Sequence, residues 1–209
     1  MIAHAAARSG EARPAPLVLG MVLFIASETM FFGALFGAYF TLRSEAAVWP
    51  PAGVRLDLAE MSLATAVLLA SSVPAHLAAH ALRAGASAAA VRRLVLTAVM
   101  GLAFLGLKLH DWLTAGFTVA SHAYGTIFFT LTGFHALHMV VGIILLLGLA
   151  AKVADGAYAT VPADLPADSP PATMKSKRPA TGGPDAVIYY WHFIDAVWIA
   201  VFSTIWLIR

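Results

Sequence analysis

The chain has 209 residues, 60% of them hydrophobic and only 11% charged, with a formal net charge of +2. A soluble domain carries about 25% charged residues, so the composition excludes a water-soluble globular enzyme and points to a membrane protein. Cysteine is absent, which excludes a disulfide framework and a thiolate metal site. The small, dispersed positive charge excludes a nucleic-acid partner.

The sequence predicts an all-α integral membrane bundle of five transmembrane helices, at about 17–42, 58–82, 93–114, 124–151 and 187–208. Residues 1–16 read as a polar, alanine-rich tail, and 17–209 as one domain without internal repeats. The run after the tail is too long for a signal h-region, so no cleavable signal peptide is expected. Residues 152–186 hold Pro162, Pro166, Pro170, Pro171, Pro179 and Pro184 and read as a solvated irregular loop. The tail, the second-to-third connection and the proline-rich loop together carry nine Lys and Arg, against three on the opposite side. The positive-inside rule then places the N-terminus in the cytoplasm and the C-terminus outside.

The first run, LVLGMVLFIASETMFFGALFGAYFTL, holds one acid, Glu28. It lies about 16 Å in from Leu17 along a helix, near the bilayer midplane. An ionised carboxylate there is costly, so Glu28 is expected to be protonated, partnered or hydrated. The following Trp49-Pro50-Pro51-Ala52-Gly53 reads as a non-helical turn anchored at the headgroups.

The second helix is rich in Ala, Ser and Thr, which suits burial inside a bundle, and Pro74 is expected to kink it. His76 and His80 share one face at its end, with Arg83 beyond. Without a third ligand they read as an interfacial pair touching headgroups rather than a metal site. The third helix ends in Lys108-Leu109-His110-Asp111-Trp112, read as an outer-interface anchor with a local Lys108–Asp111 ion pair.

The fourth helix has Gly125, Gly133, Gly142 and Gly148 as close-packing points, and His135 and His138 as neighbours on one face. Their depth matches that of Glu28, so a hydrogen bond from Glu28 to either His138 or His135 is geometrically open. The fifth helix opens on Tyr189, Tyr190, Trp191 and His192, read as a cytoplasmic aromatic belt. Asp195 lies deep enough to need a partner, for which His192 three residues away is the nearest donor.

No phosphate loop, HExxH, nucleophile elbow or c-type haem signature occurs. A haem would need one of His135 and His138 plus a histidine of matching depth on another helix, and His192 lies too near the cytoplasmic side. No metal or cofactor bound by the chain is therefore expected.

Four motifs, in order, resemble subunit III of the haem-copper oxidases, the cytochrome c oxidase family. They are Ser27-Glu28-Thr29-Met30-Phe31-Phe32; Trp49-Pro50-Pro51-Ala52-Gly53; Tyr124-Gly125 with Thr132-Gly133-Phe134-His135-Ala136-Leu137-His138; and Tyr190-Trp191-His192-Phe193-Ile194-Asp195 through Trp198. The chain is similar to the five-helix bacterial form, lacking the first two helices of the long form. It departs from the family at Lys108 and Asp111, where glutamine and glutamate are commoner. The resemblance implies a bacterial inner-membrane subunit without redox centres or catalytic residues. Haem and copper sit in partner subunits I and II, structural phospholipid is bound, and Glu28 is the carbodiimide-reactive carboxyl. It also implies support of assembly, proton uptake and durability, and membership of a respiratory supercomplex. A quinol oxidase or nitric-oxide-reductase-associated homologue is the alternative within the superfamily. A stand-alone proton-linked transporter and a haem-b anchor are the alternatives outside it.

Overall fold

A computed structural model describes residues 16–158 and 182–208. It contains α1 (Pro16–Glu45), α2 (Leu58–Arg83), α3 (Ser87–Thr114), α4 (Ala123–Ala154) and α5 (Gly183–Phe202), which continues into one π-helical turn, Ser203–Leu207. Each of the five, with the π turn included in the last, is long and apolar enough to cross a membrane. The all-α, five-span expectation therefore holds for the described residues. The tail and most of the proline-rich segment, with Lys175, Lys177 and Arg178, lie outside them.

Two boundaries move most. The third helix begins at Ser87, not at 93, so Arg92 and Arg93 lie in its first turns instead of in a loop. The connection is short because α2 closes in a Schellman motif. Ala86 N–H donates to Ala81 O at 2.8 Å and Gly85 N–H to Leu82 O at 3.1 Å, with Gly85 at φ +74°, a conformation that a Cβ would oppose. The same motif ends α4, where Gly156 has φ +77° and Ala157 N–H donates to Lys152 O at 3.1 Å. At the other boundary α5 starts at Gly183, with Pro184 in its first turn, where a missing N–H costs nothing. The proline-rich segment is therefore shorter at both ends than 152–186.

Capping fixes the opposite end of the bundle. Asp57 Oδ1 accepts the Glu60 N–H at 2.9 Å and starts α2. His122 Nδ1 accepts the Gly125 N–H at 2.7 Å and starts α4.

Helices α2 to α5 form the core, α2 against α3, α3 against α4, and α5 against both α2 and α4. Helix α1 packs chiefly on α4 and α5, and only its Phe32 and Tyr39 are buried. The most enclosed helix is α5, not the small-residue α2. The reason is Trp191. Its indole lies in a slot where a Cβ on Gly101 of α3 would come within 2.7 Å and one on Gly142 of α4 within 3.1 Å. It donates to Ser71 Oγ of α2 at 3.0 Å. One α5 side chain thus touches three neighbouring helices. Trp198 repeats the device further along, donating to Thr65 Oγ1 at 2.9 Å.

Candidate functional site

Glu28 and His138 meet between α1 and α4, with a carboxylate oxygen 2.9 Å from Nε2. His138 Nδ1 lies 2.7 Å from Phe134 O. A carbonyl only accepts, so Nδ1 carries a hydrogen and donates. Nε2 and Glu28 then share one further proton, either as neutral acid and neutral imidazole or as carboxylate and imidazolium. The ring is braced edge-on by Phe32 at 5.2 Å, and the pair is partly open, at 12% and 21% of the two side chains. Of the two histidines that the depths allowed, the structure brings only His138 to Glu28.

His135 lies elsewhere. It is 1% exposed, 4.8 Å from the Trp198 ring and 5.8 Å from Phe104, and neither ring nitrogen has a hydrogen-bond partner. Helical periodicity alone put it beside His138, whereas the rotation of α4 turns it into the bundle.

Lys108 corrects the sequence reading most plainly. It does not snorkel to the interface. Its side chain is 1% exposed, paired with Asp111 at 2.6 Å, and its ammonium lies 4.6 Å from the rings of both Phe128 and Trp206. The π turn at the end of α5 contributes Trp206, with its ring stacked on Phe202. An ammonium stripped of water gains from aromatic faces and a carboxylate together.

The α2–α5 seam collects the remaining candidates. Ser72 Oγ is hydrogen-bonded to Asp195 Oδ2 and lies 3.1 Å from His192 Nδ1, whereas His192 and Asp195 are 3.9 Å apart. The expected donor to Asp195 is thus replaced by a serine that no sequence pattern singled out. His76 and His80 are exposed and face each other at 3.1 Å, and Arg83 pairs with Asp185 at 2.8 Å. Trp191, read as part of an outward belt, is fully buried. Trp49 also turns inward. It lies in the turn after α1, before a cis bond to Pro50, donates to Tyr39 Oη at 2.9 Å and packs on Tyr124 at 5.0 Å.

Two further links were not expected. Glu60 and His110 join α2 to α3 at 2.7 Å, and Arg43 reaches Ile208 O at 2.8 Å. Leu17 and Met21 of α1, Leu145, Gly148 and Lys152 of α4, and Val187 of α5 line a groove of about 400 Å³. Among the described residues, no group of three or more His, Asp or Glu side chains is placed to hold a metal ion.

Fold and site together define a multi-pass, all-α membrane protein whose helices are tied by buried polar pairs. A family model for cytochrome c oxidase subunit III matches residues 6–158. The chain is 36% identical over 202 residues to a probable cytochrome c oxidase subunit 3 of Mycobacterium leprae, covering 94% of this chain and 90% of that one. It is 31% identical to cytochrome c oxidase subunit 3 of Thermostichus vulcanus, over 91% and 87% of the two chains. Against the Branchiostoma lanceolatum subunit 3 it is 36% identical, over 90% of this chain and 67% of the lancelet one. The chain belongs to the cytochrome c oxidase subunit III family, as the four motifs implied.

Proposed function

We propose that the chain serves as the non-redox subunit III of a bacterial, proton-translocating cytochrome c oxidase, packed on subunits I and II that hold haem and copper. It contributes to assembly, lipid binding, proton uptake and durability of the catalytic subunits. Family membership supports the oxidase assignment. The observation that carries the supporting role is the Glu28–His138 pair, a proton-holding group on the one helix that its own bundle leaves largely uncovered.

The groove between the same helices, nearer their basic end, suits a phospholipid. Its walls are apolar, and Lys152 at its end offers a cation to a headgroup phosphate. In the orientation set by the excess of Lys and Arg, the ends bearing Arg83, Arg92, Arg93 and Lys152 face the cytoplasm. This is the basic end of the bundle.

Purification in mild detergent through a tag on this chain tests the assignment. Subunits I and II with haem and copper are expected to copurify, with cytochrome c oxidation in the eluate. A chain that purifies alone from oxidase-containing membranes overturns it.

A further inference from the structure

We propose that Asp195 is a second proton-binding carboxyl of this subunit, hydrogen-bonded through Ser72 to His192, with the histidine pair His76–His80 further along the same face of α2 toward the basic end of the α2–α5 seam. The proposal goes beyond the function set out above and does not depend on which complex the chain serves.

It stands on one hydroxyl. Ser72 Oγ contacts both Asp195 Oδ2 and His192 Nδ1, but serine has a single hydrogen to give. Only two arrangements satisfy both contacts. In the first, the His192 Nδ1–H donates to Ser72, and Ser72 donates to an ionised Asp195. In the second, a protonated Asp195 donates to Ser72, and Ser72 donates to His192 Nδ1. One proton separates them. A proton arriving at His192 Nε2 lets Nδ1–H pass to the serine oxygen while the serine hydrogen passes to Asp195 Oδ2. The step ends with a neutral acid and a neutral imidazole, and three O–H or N–H bonds form for the two that break, the arriving proton supplying the difference.

The surroundings favour the second arrangement. Asp195 is 5% exposed and sits about 18 Å along α5. Its other oxygen, Oδ1, has no hydrogen-bond partner. An ionised carboxylate with an orphan oxygen at that depth is the costlier species. His192 lies one turn nearer the basic end of the bundle than Asp195. The His192 side chain is 40% exposed. Ser72, His76 and His80 recur at every fourth position and so share one face of α2, with His76 Nε2 and His80 Nε2 3.1 Å apart.

Among the described residues, the titratable and charged groups along the seam are His76 and His80 on α2, His192 on α5 and the Arg83–Asp185 pair at the mouth, and Arg93 of α3 reaches the same end of α2 at Leu77 O. Where α1 packs on α5 it offers Thr29, Phe32, Gly33 and Phe36, and its Glu28 is bonded to His138 of α4.

The full-length chain, in the complex from which it purifies, provides the test. A hydrophobic carbodiimide modifies protonated carboxyls in apolar sites. Peptide mass mapping is expected to find an adduct on Asp195, in wild type and in Glu28→Gln alike, with a yield that falls as pH rises. The protonated-carboxyl carbonyl band of Asp195, assigned with carbon-13 aspartate and by its loss in Asp195→Asn, is expected to exchange with deuterium in wild type. Exchange should slow by about tenfold in Ser72→Ala, the scale of one lost hydrogen bond, and recover in Ser72→Thr. If Asp195→Asn fails to assemble, the isotope label and the adduct map still report. An Asp195 that stays unmodified wherever the complex is intact, or a Ser72→Ala band exchanging at the wild-type rate, overturns the proposal.

Discussion

Glu28 and His138 hold a single proton between them across 2.9 Å, and which of the two owns it decides how the first helix is attached. The Nδ1 donation to Phe134 O fixes the ring's other nitrogen as the one that faces the acid. Glutamine at position 28 can still donate an amide hydrogen to a neutral Nε2. Glu28→Gln is therefore expected to keep α1 docked and the complex assembled. Glu28→Ala is expected to loosen α1 by about 1 kcal/mol, the scale of an interhelical hydrogen bond in a membrane. Detergent titration of subunit retention reads the difference. Equal damage from both variants would show that the pair works as carboxylate and imidazolium.

The Lys108–Asp111 pair makes a sharper demand. Removing one member of a buried ion pair leaves a bare charge, at a cost of about 3–5 kcal/mol. Lys108→Met is expected to lower the melting temperature of the subunit markedly. Lys108→Met with Asp111→Leu is expected to recover most of the loss, because no charge then remains in the aromatic box. A double variant as unstable as the single one would mean that the lysine stem, not its charge, holds the box together.

Trp191 gives a packing prediction. A Cβ at Gly101 would meet Trp191 Cη2 at 2.7 Å and Ile143 atoms at 3.3 Å. The indole cannot retreat without breaking its bond to Ser71. Gly101→Ala is expected to cost about 1–3 kcal/mol by overpacking. Gly133→Ala is expected to be near neutral, since nothing lies within 4 Å of its added Cβ. Thermal unfolding of the two variants side by side checks this.

The exposed Arg83–Asp185 pair sets the lower bound. With the arginine side chain 54% exposed, Arg83→Gln is expected to change stability by less than about 1 kcal/mol, readable as an unchanged melting temperature.

Hydropathy located all five spans, and depth along the helices put Glu28 level with both His135 and His138. Both readings need only length and rise per residue. Rotation was less legible. Periodicity says that His135 and His138 are neighbours but not which one faces α1. It equally made Gly133 and Gly148 look like Gly142, although only Gly142 meets another helix. Lys108 was misjudged because a lysine near a helix end normally reaches water, and the box that holds it comes from α4 and from a π turn at the far end of the chain. Ser72 was invisible for a simpler reason. A serine in a run of small residues carries no signal until another helix sets an acid against it.

The attachment of α1 to α4 and α5 has a consequence for biogenesis. Ribosomes deliver the first helix earliest, yet the surfaces that receive it emerge last. During translation this segment has to wait in the lipid, with Glu28 unmatched until α4 brings His138 and its docking incomplete until the final span has been threaded. Truncated chains that stop before α5 should therefore leave α1 open to early proteolysis.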